Sequence, residues 1–295
     1  APHVRARTLP GHSSARHRHG RRGDMIGDNS PFNLDGKCAV VTGGTKGLGR
    51  AIVEALASHG ARVHTCARTE ADVDACVAEW RARGLDVTGS ACDVSSRASR
   101  ADLHARASDL FRGKVDILVS NVGFNTRKPT VDFTPEEYRA LMDVNLESSF
   151  ALCQLFHPLL VKSRDGCVLF NSSVASLVSM QSGVVYAMTK AAMNMLTKYL
   201  ACEWAKDGIR VNAVAPWYIN TPLAKQVLAD PAYAKAVIDA TPAGRVGEPE
   251  EVGAVSAFLC SRAASYVTGQ VLAIDGGFSV NGWKPPTKKP PASKL

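Results

Sequence analysis

Short apolar runs alternate along this chain with longer stretches whose apolar residues recur every three to four positions. The short runs predict strands at 38–42, 62–66, 86–92, 115–120, 167–171, 209–214 and 270–274. The longer stretches predict helices at 47–59, 70–83, 96–111, 135–162, 184–206, 222–240 and 249–260. Several of the strands are almost continuously hydrophobic, which is typical of parallel strands covered on both faces. The pattern therefore predicts a single doubly wound, Rossmann-like α/β domain over residues 31–283, with a parallel sheet of about seven strands and helices on both faces.

The loop after the first predicted strand is rich in glycine. Glycines let a backbone turn tightly and approach a pyrophosphate, and the N-terminus of the following helix offers free N–H groups and a positive dipole. In this strand–loop–helix setting the segment predicts a dinucleotide site. Its contacts are expected from Thr42, Gly43, Thr45, Lys46, Gly47, Leu48 and Gly49.

Two cations mark the predicted position of the adenosine ribose. Arg68 follows the second strand, where an NAD-preferring site would hold an acid, and Lys46 lies in the glycine loop. Both suit a 2′-phosphate, through charge-assisted hydrogen bonds of about 1.5–3 kcal/mol each. We therefore expect NADPH/NADP+ as the cofactor rather than NADH. Asp93, after the third strand, has two interpretations: it accepts from the adenine amino group, or it caps the next helix.

A serine, a tyrosine and a lysine indicate the chemistry. Tyr186 and Lys190 are four residues apart on a predicted helix and share a face, while Ser173 closes the fifth strand thirteen residues before Tyr186. A free phenol has a pKa near 10. An adjacent ammonium is expected to lower that pKa and to make Tyr186 a proton donor and acceptor. Ser173 can hydrogen-bond the same carbonyl oxygen as charge develops on it.

Over residues 37–278 the chain resembles the short-chain dehydrogenase/reductase family. The resemblance is carried by the T-G-x-x-x-G-x-G loop, by the Ser173/Tyr186/Lys190 triad, and by Asn145 in L-M-D-V-N-L. The stretches C-A-R-T-E, Y-L-A-C-E-W-A-K-D and S-Y-V-T-G-Q resemble the plant tropinone-reductase-like branch. The resemblance implies hydride transfer between cofactor and substrate. It assigns proton transfer to Tyr186, ribose binding and tuning of Tyr186 to Lys190, carbonyl orientation to Ser173, and support of a proton-relay water to Asn145.

The resemblance also implies cofactor contacts elsewhere on this edge of the sheet. Asn121 and Gly123 lie in S-N-V-G, where the family pattern is N-N-A-G. Ile219 and Thr221, after Pro216, fall where the family holds the nicotinamide carboxamide. The family's Pro-Gly at that point reads Pro216-Trp217 here, and we expect the indole to reshape the pocket.

The predicted substrate pocket is mostly apolar. Its residues are Arg127, Val174, Val178, Met180, Val184, Trp217, Tyr218 and Leu223. Such a lining suits a small or medium apolar ketone, although the same residue types also fill protein cores. Because Arg127 would repel a cationic amine, tropinone itself is not the expected substrate.

The leading interpretation is an NADPH-dependent carbonyl reductase, a tropinone-reductase-like oxidoreductase acting on CH–OH or C=O groups. One alternative is a 3-oxoacyl-thioester reductase, which would need a basic entrance for the carrier's phosphates. Another is a non-catalytic NADP(H)-binding sensor or scaffold, which would not require Ser173 and Tyr186 to converge. The helix at 184–206 is apolar nearly all round. It is either a core helix or a subunit interface, and the second interpretation predicts a homodimer or homotetramer.

Composition excludes several other classes of protein. The 295 residues are 45% hydrophobic and 21% charged, as in globular domains, and no apolar run is long enough to predict a membrane-spanning helix. The net charge of +8 comes from the two ends, because the chain without residues 1–24 and 284–295 carries −1. Nucleic-acid binding is therefore not expected. The eight cysteines form no C-x-x-C pair, so we expect buried free thiols rather than a metal site.

The two ends carry possible targeting signals. Residues 1–30 are basic and lack apolar periodicity, so they are expected to be disordered, either as a transit peptide or as an extension foreign to the mature protein. Residues 284–295 are rich in Lys and Pro and end in Ser293-Lys294-Leu295. A terminal S-K-L is a peroxisomal address, so the peroxisome is the expected location, with cytoplasm or plastid as alternatives.

Overall fold

A computed structural model describes residues 30–181 and 183–282 and confirms the doubly wound α/β fold. Its sheet has seven strands within those residues, all paired in parallel in the order β3-β2-β1-β4-β5-β6-β7. The strand order reverses between β1 and β4, which opens a crevice at the carboxyl ends of these two strands. The strands are β1 (Cys38–Thr42), β2 (Arg62–Ala67), β3 (Val87–Ala91), β4 (Ile117–Ser120), β5 (Gly166–Asn171), β6 (Ile209–Pro216) and β7 (Val271–Ile274).

Helices cover both faces of the sheet. Within the described residues they are α1 (Gly47–Ser58), α2 (Glu70–Ala82), α3 (Arg97–Leu110), α4 (Pro135–Met142), α5 (Ser148–Val161), α6 (Val184–Glu203), α7 (Pro222–Leu228), α8 (Pro231–Ala240) and α9 (Pro249–Cys260). Helices α1, α2 and α9 pack on one face, and α3, α5 and α6 pack on the other. Alternate residues of β1 show this division, because Ala39 and Val41 join the first core layer and Val40 joins the second. A strand buried on both faces has no polar side to show, which explains its continuous hydrophobic sequence.

The predicted helix at 135–162 is interrupted by a π-helical turn at Asp143–Glu147. Two serine hydroxyls occupy carbonyl groups of this turn: Ser148 Oγ donates to the Val144 carbonyl at 2.6 Å, and Ser149 Oγ donates to the Asn145 carbonyl at 3.1 Å. Such bonds compete with the regular helical pattern. The spacing of apolar residues carries no information about these serine hydrogen bonds, so it predicted one continuous helix.

The predicted helix at 222–240 is wrong as a single element, because it breaks into α7 and α8 at Asp230-Pro231. Proline has no N–H and its ring clashes with the preceding turn, so a helix cannot run through it without a kink or break. The Asp230 carboxylate then starts α8 by accepting from the Ala232 N–H at 2.9 Å. The helix predicted at 184–206 ends earlier, at Glu203. A 3₁₀ turn follows it and closes on Gly208, whose φ of +71° suits glycine.

The cysteines, the lengths of the apolar helices and the two ends were also subjects of prediction. All eight cysteines are free thiols, and all except Cys202 on α6 are buried. Within residues 30–181 and 183–282, no helix combines the length and apolarity that a bilayer crossing requires. The predictions for the N-terminal segment before Ser30 and for the C-terminal Ser-Lys-Leu fall outside the described residues and stay predictions.

Candidate active site

The four residues predicted to be catalytic converge at the carboxyl end of the sheet. Ser173 follows β5, and Tyr186 and Lys190 lie on the first turns of α6. Ser173 is hydrogen-bonded with the Tyr186 hydroxyl, and Lys190 Nζ lies 5.6 Å from the centroid of the Tyr186 ring. Asn145, in the π-helical turn, reaches the same helix by donating to Thr189 Oγ1 at 3.3 Å. The arrangement places a proton donor, a hydroxyl and an ammonium group side by side.

Lys190 is a buried cation held by a backbone carbonyl. Its side chain is 2% exposed, and Nζ donates to the carbonyl of Asn171 at 2.6 Å. Burial disfavours the charged form and lowers the pKa of Lys190 to about 8. Asn171, the last residue of β5, was not among the predicted site residues. Its only signal was a polar residue at the end of an otherwise apolar strand.

The pKa of Tyr186 differs from the expectation. Burial raises the pKa of this phenol above its ordinary value, and the hydrogen bond with Ser173 and the charge of Arg127 only partly oppose the rise. We expected the ammonium of Lys190 to dominate and to lower the pKa. In the structure that ammonium lies over the ring and is engaged by the Asn171 carbonyl, so desolvation prevails. Tyr186 is consequently a protonated group at neutral pH.

Asn145 fixes the loop that follows β4. Its side chain is fully buried, its Oδ1 accepts from the Phe124 N–H at 3.0 Å, and its Nδ2 donates to the Phe124 carbonyl at 2.9 Å. This clamp was not predicted, because the resemblance assigned Asn145 only to the proton relay. Gly123, the preceding loop residue, lies against the same groups. A Cβ at Gly123 would stand 3.2 Å from Asn145 Oδ1 and 3.3 Å from Lys190 Nζ, which explains why glycine suits this position.

The glycine loop fits a pyrophosphate. A Cβ on Gly49 would stand 2.1 Å from the carbonyl oxygen of Gly43, so only glycine allows the start of α1 to approach the loop this closely. Gly43 and Gly47 both have positive φ, at +71° and +55°. No side chain caps α1 at Lys46 and no acid occupies its first turn, so the N–H groups of this helix end remain available to an anion. Thr45 is buried within the loop, and Leu48 packs on the core behind it.

Asn121 braces this loop from the neighbouring strand. Its Nδ2 donates to the carbonyls of Thr42 and Gly43 at 2.9 and 3.2 Å, and its own N–H donates to Thr42 Oγ1 at 3.0 Å. Asn171 Nδ2 in turn donates to Asn121 Oδ1 at 2.8 Å. Asn171 thus links the loop brace with Lys190, and the support predicted for Asn121 acts through the loop backbone.

The three charged residues predicted near the adenosine ribose have different surroundings. Arg68 is exposed directly after β2, whereas Lys46 Nζ forms an ion pair with Asp72 at 2.8 Å that was not predicted. Hydrogen bonds from Ser95 and the charge of Arg68 hold the pKa of Asp93 below its usual value. Asp93 does not cap α3. That role belongs to Ser96, which accepts from the Ser99 N–H at 3.3 Å.

The residues predicted on the nicotinamide side follow β6. Pro216 ends that strand, and Ile219 forms an isolated parallel bridge with Gly247. Thr221 caps α7, with Oγ1 accepting from the Ala224 N–H at 3.3 Å. The Thr221 methyl would lie 3.4 Å from a Cβ on Gly47, so the start of α7 faces the glycine loop across the crevice.

Trp217, where the family pattern has glycine, contacts residues outside β6. Its indole stacks on Phe278, with ring centroids 3.6 Å apart, and its Nε1 donates to Thr241 Oγ1 at 3.1 Å. The ring therefore ties β6 to the end of α8 and to the C-terminal segment. Trp217 and Tyr218 also border a small cavity of about 70 Å³, together with Arg245.

The other predicted pocket residues differ in burial and in their neighbours. Met180 packs with Trp217 beside the buried Tyr218, and Val174 is buried directly after Ser173. Val178 is half-buried, and Leu223 on α7 is exposed. Val184 lines a groove of about 480 Å³ between α4 and α6. Val174 thus lies next to Ser173 in the chain, Met180 packs on the cluster that contains Tyr218, and the pocket role of all these residues stays a prediction.

Comparison with known proteins gives matches over most of the chain. A family model described as enoyl-(acyl carrier protein) reductase matches residues 43–279. A protein of Arabidopsis thaliana named a tropinone reductase homolog is 55% identical over 252 residues, which is 85% of this chain and 96% of that protein.

Solved structures with the same fold include dehydrogenases with bound cofactors. A gluconate 5-dehydrogenase from Burkholderia cenocepacia, in complex with NADP and tartrate, is 32% identical with a TM-score of 0.81, covering 85% of this chain and 98% of its own. A 7α-hydroxysteroid dehydrogenase, complexed with NADH and 7-oxo glycochenodeoxycholic acid, is 34% identical with a TM-score of 0.80, covering 84% and 96%.

The lowered pKa of Lys190 predicts a specific pH dependence of stability. Between the folded pKa of about 8 and the ordinary value of 10.5, the unfolded chain binds more protons than the folded chain. The free energy of unfolding should therefore rise with pH across this window. We expect this rise in wild type relative to Lys190→Met, measured by urea denaturation at a series of pH values. A difference between the two proteins that does not change with pH would contradict the assignment.

Proposed function

The chain belongs to the short-chain dehydrogenase/reductase family of NAD(P)-dependent oxidoreductases, and within that family we propose that it is an NADPH-dependent carbonyl reductase. The observation that carries the proposal is the convergence of Ser173, Tyr186, Lys190 and Asn145 beside a loop that fits a pyrophosphate. A sensor or scaffold that only binds the cofactor would not need a hydroxyl and a phenol aimed at one point. Turnover is therefore the better explanation of this geometry.

In the proposed mechanism, bound NADPH supplies the hydride that reaches the carbonyl carbon. The Tyr186 hydroxyl donates the proton to the carbonyl oxygen, and the Ser173 hydroxyl donates a hydrogen bond to the same oxygen as negative charge develops. The raised pKa of Tyr186 supports the reductive direction, because the phenol carries its proton before the reaction. Lys190, anchored by the Asn171 carbonyl, holds its positive charge over the Tyr186 ring.

The preference for NADPH rests on charge rather than on fold. The two dehydrogenases compared above share this fold, yet one was solved with NADP and the other with NADH. Here Arg68 is exposed at the end of β2, and Lys46 is held nearby by Asp72. A 2′-phosphate would draw on both cations, with Lys46 exchanging its partner or sharing it. No such gain is available to NADH.

We propose a small or medium ketone with an apolar body as the substrate. Met180, which is partly buried against the cluster that contains Tyr218, offers apolar surface to such a substrate. The compared 7α-hydroxysteroid dehydrogenase was solved with 7-oxo glycochenodeoxycholic acid, an oxo compound. Arg127 bears on Tyr186 electrostatically, so a cationic amine would meet a like charge near the reacting oxygen. Tropinone is therefore a poor substrate in this proposal, whatever the relatives are named.

The test is a panel of ketones with the purified protein, followed through the nicotinamide absorbance with NADPH and NADH in parallel. The panel contains cyclic monoketones, tropinone and a 3-oxoacyl-CoA. We expect turnover with NADPH on the apolar ketones, and we expect Arg68→Glu to lower kcat/KM for NADPH by about 10- to 100-fold while sparing NADH. Turnover with NADH alone would refute the cofactor assignment. Efficient reduction of tropinone would refute the proposed pocket.

Tyr186→Phe separates chemistry from binding. Removing the hydroxyl should lower kcat by at least about 100-fold, because a positioned general acid contributes roughly 10²–10⁴. The affinity for NADPH, measured by fluorescence titration, should stay within about twofold of wild type, because the ring and its packing are retained. If cofactor binding and turnover fall together, the proton-donor role of Tyr186 is wrong.

We propose further that the chain forms a homodimer or homotetramer. Large apolar side chains on the outer faces of α5 and α6 are unusually exposed: Phe150 by 46%, Met195 by 52% and Tyr199 by 68%. Sedimentation velocity should show a dimer or tetramer, and Met195→Glu should shift it toward smaller species. A wild-type monomer at micromolar concentration would contradict the proposal.

A further inference from the structure

Arg127 presents a guanidinium without a carboxylate partner at the reactive end of the sheet. Its side chain is exposed, and among residues 30–181 and 183–282 no Asp or Glu oxygen lies within 4.0 Å of it. The adjacent Lys128 differs, because it forms an ion pair with Glu137. The positive charge of Arg127 is therefore available to an incoming group, while that of Lys128 is already neutralised.

The loop that carries Arg127 is fixed on both sides. Before it, both backbone groups of Phe124 are bonded to the buried Asn145 amide, at 3.0 and 2.9 Å. After it, Lys128 is held by Glu137 and lies 5.2 Å from the ring centroid of Phe133. These contacts hold the loop on either side of Arg127. The exposed side chain of Arg127 therefore extends from an anchored stretch of backbone.

Arg127 faces both phenols of the crevice. It is hydrogen-bonded with the Tyr218 hydroxyl, and its charge favours the phenolate form of Tyr186 as well as of Tyr218. The Tyr218 hydroxyl is itself fixed, because it lies 2.5 Å from the hydroxyl of Tyr233. The guanidinium and the Tyr218 hydroxyl therefore lie together on the side of the crevice that Tyr186 borders.

We propose that Arg127 and Tyr218 form a subsite for a carboxylate on the substrate, so that the preferred substrate is a ketone that also bears a carboxylate. A guanidinium presents two parallel N–H donors that match the two carboxylate oxygens. One unpaired cation balances one carboxylate, whereas a phosphate dianion would call for a second cation, and Lys128 is already paired. This inference rests on the proposed reductase function and names its substrate class.

The direct test compares ketones that differ only in charge. 4-Oxocyclohexanecarboxylate and its methyl ester share one carbon skeleton, and NADPH-dependent kcat/KM is measured for each. We expect the wild type to prefer the acid by about 10-fold or more, through a charge-assisted contact that the ester lacks. Preference for the ester would overturn the inference and leave the reductase proposal standing. Turnover of neither compound would count against the reductase proposal, and the binding measurement below would then decide the carboxylate subsite.

Variants assign the preference to one side chain. Arg127→Met should lower the acid-to-ester ratio of kcat/KM by about 10-fold or more, because the ratio cancels any effect of the lost charge on Tyr186. Arg127→Lys should recover part of the acid preference, because charge returns without the paired donors. The control is Arg139→Met, which removes an exposed cation from α4 and should leave the acid-to-ester ratio unchanged. An Arg127→Met enzyme that keeps the acid preference would overturn the subsite.

A second readout does not depend on turnover. Cyclohexanecarboxylate, which lacks the ketone, is titrated into the protein saturated with NADP+, and binding is followed by calorimetry. The wild type should bind it, with Arg127→Met weakening the affinity by about 10-fold or more and Arg139→Met leaving it unchanged. Absence of binding to the wild type, or equal binding to wild type and Arg127→Met, would refute a carboxylate subsite at Arg127. Thermal unfolding of each variant checks that the fold is retained.

Discussion

The buried hydrogen bond from the Lys190 ammonium to the Asn171 carbonyl organises this molecule. A cation that is 2% exposed must be satisfied by the protein, and the carbonyl at the end of β5 does so at 2.6 Å. The side chain of Asn171 also donates to Asn121 Oδ1, and the Asn121 side chain in turn donates to the carbonyls of Thr42 and Gly43. One short chain of polar contacts thus connects the reactive lysine with the loop that fits the pyrophosphate. The ends of β1, β4 and β5 therefore hold both the loop expected to bind the cofactor and the lysine beside Tyr186.

The topology makes this chain of contacts possible. Because β1 and β4 are neighbours at the point where the strand order reverses, the glycine loop and the loop after β4 share one crevice. Asn145 clamps the second loop at Phe124, and the π-helical turn places that amide. Departures from regular helix geometry and buried polar side chains are costly elsewhere in a protein. Here they fall where substrate and cofactor are expected to meet.

The sequence predicted the strands, most helices and the convergence of Ser173, Tyr186 and Lys190, because periodicity and short motifs encode these features locally. It missed what depends on tertiary contacts. One miss was local instead: Asp230-Pro231 indicates the break within 222–240, but the apolar spacing continues across it. The ion pair of Lys46 with Asp72 joins a loop to a helix, and no local pattern encodes such a contact. The raised pKa of Tyr186 follows from burial, which a residue list cannot weigh against a neighbouring charge.

In the proposed reaction, hydride passes directly to the carbonyl carbon while Tyr186 supplies the proton to the oxygen. The most direct measurement uses NADPH with deuterium in both C4 positions of the nicotinamide and a ketone that the protein reduces, with the alcohol analysed by mass spectrometry and NMR. Direct transfer should leave one deuterium from the cofactor on the carbinol carbon, and a parallel reaction of unlabelled NADPH in deuterated solvent should leave none there. An alcohol whose carbinol hydrogen comes from solvent would contradict direct transfer and the site described here.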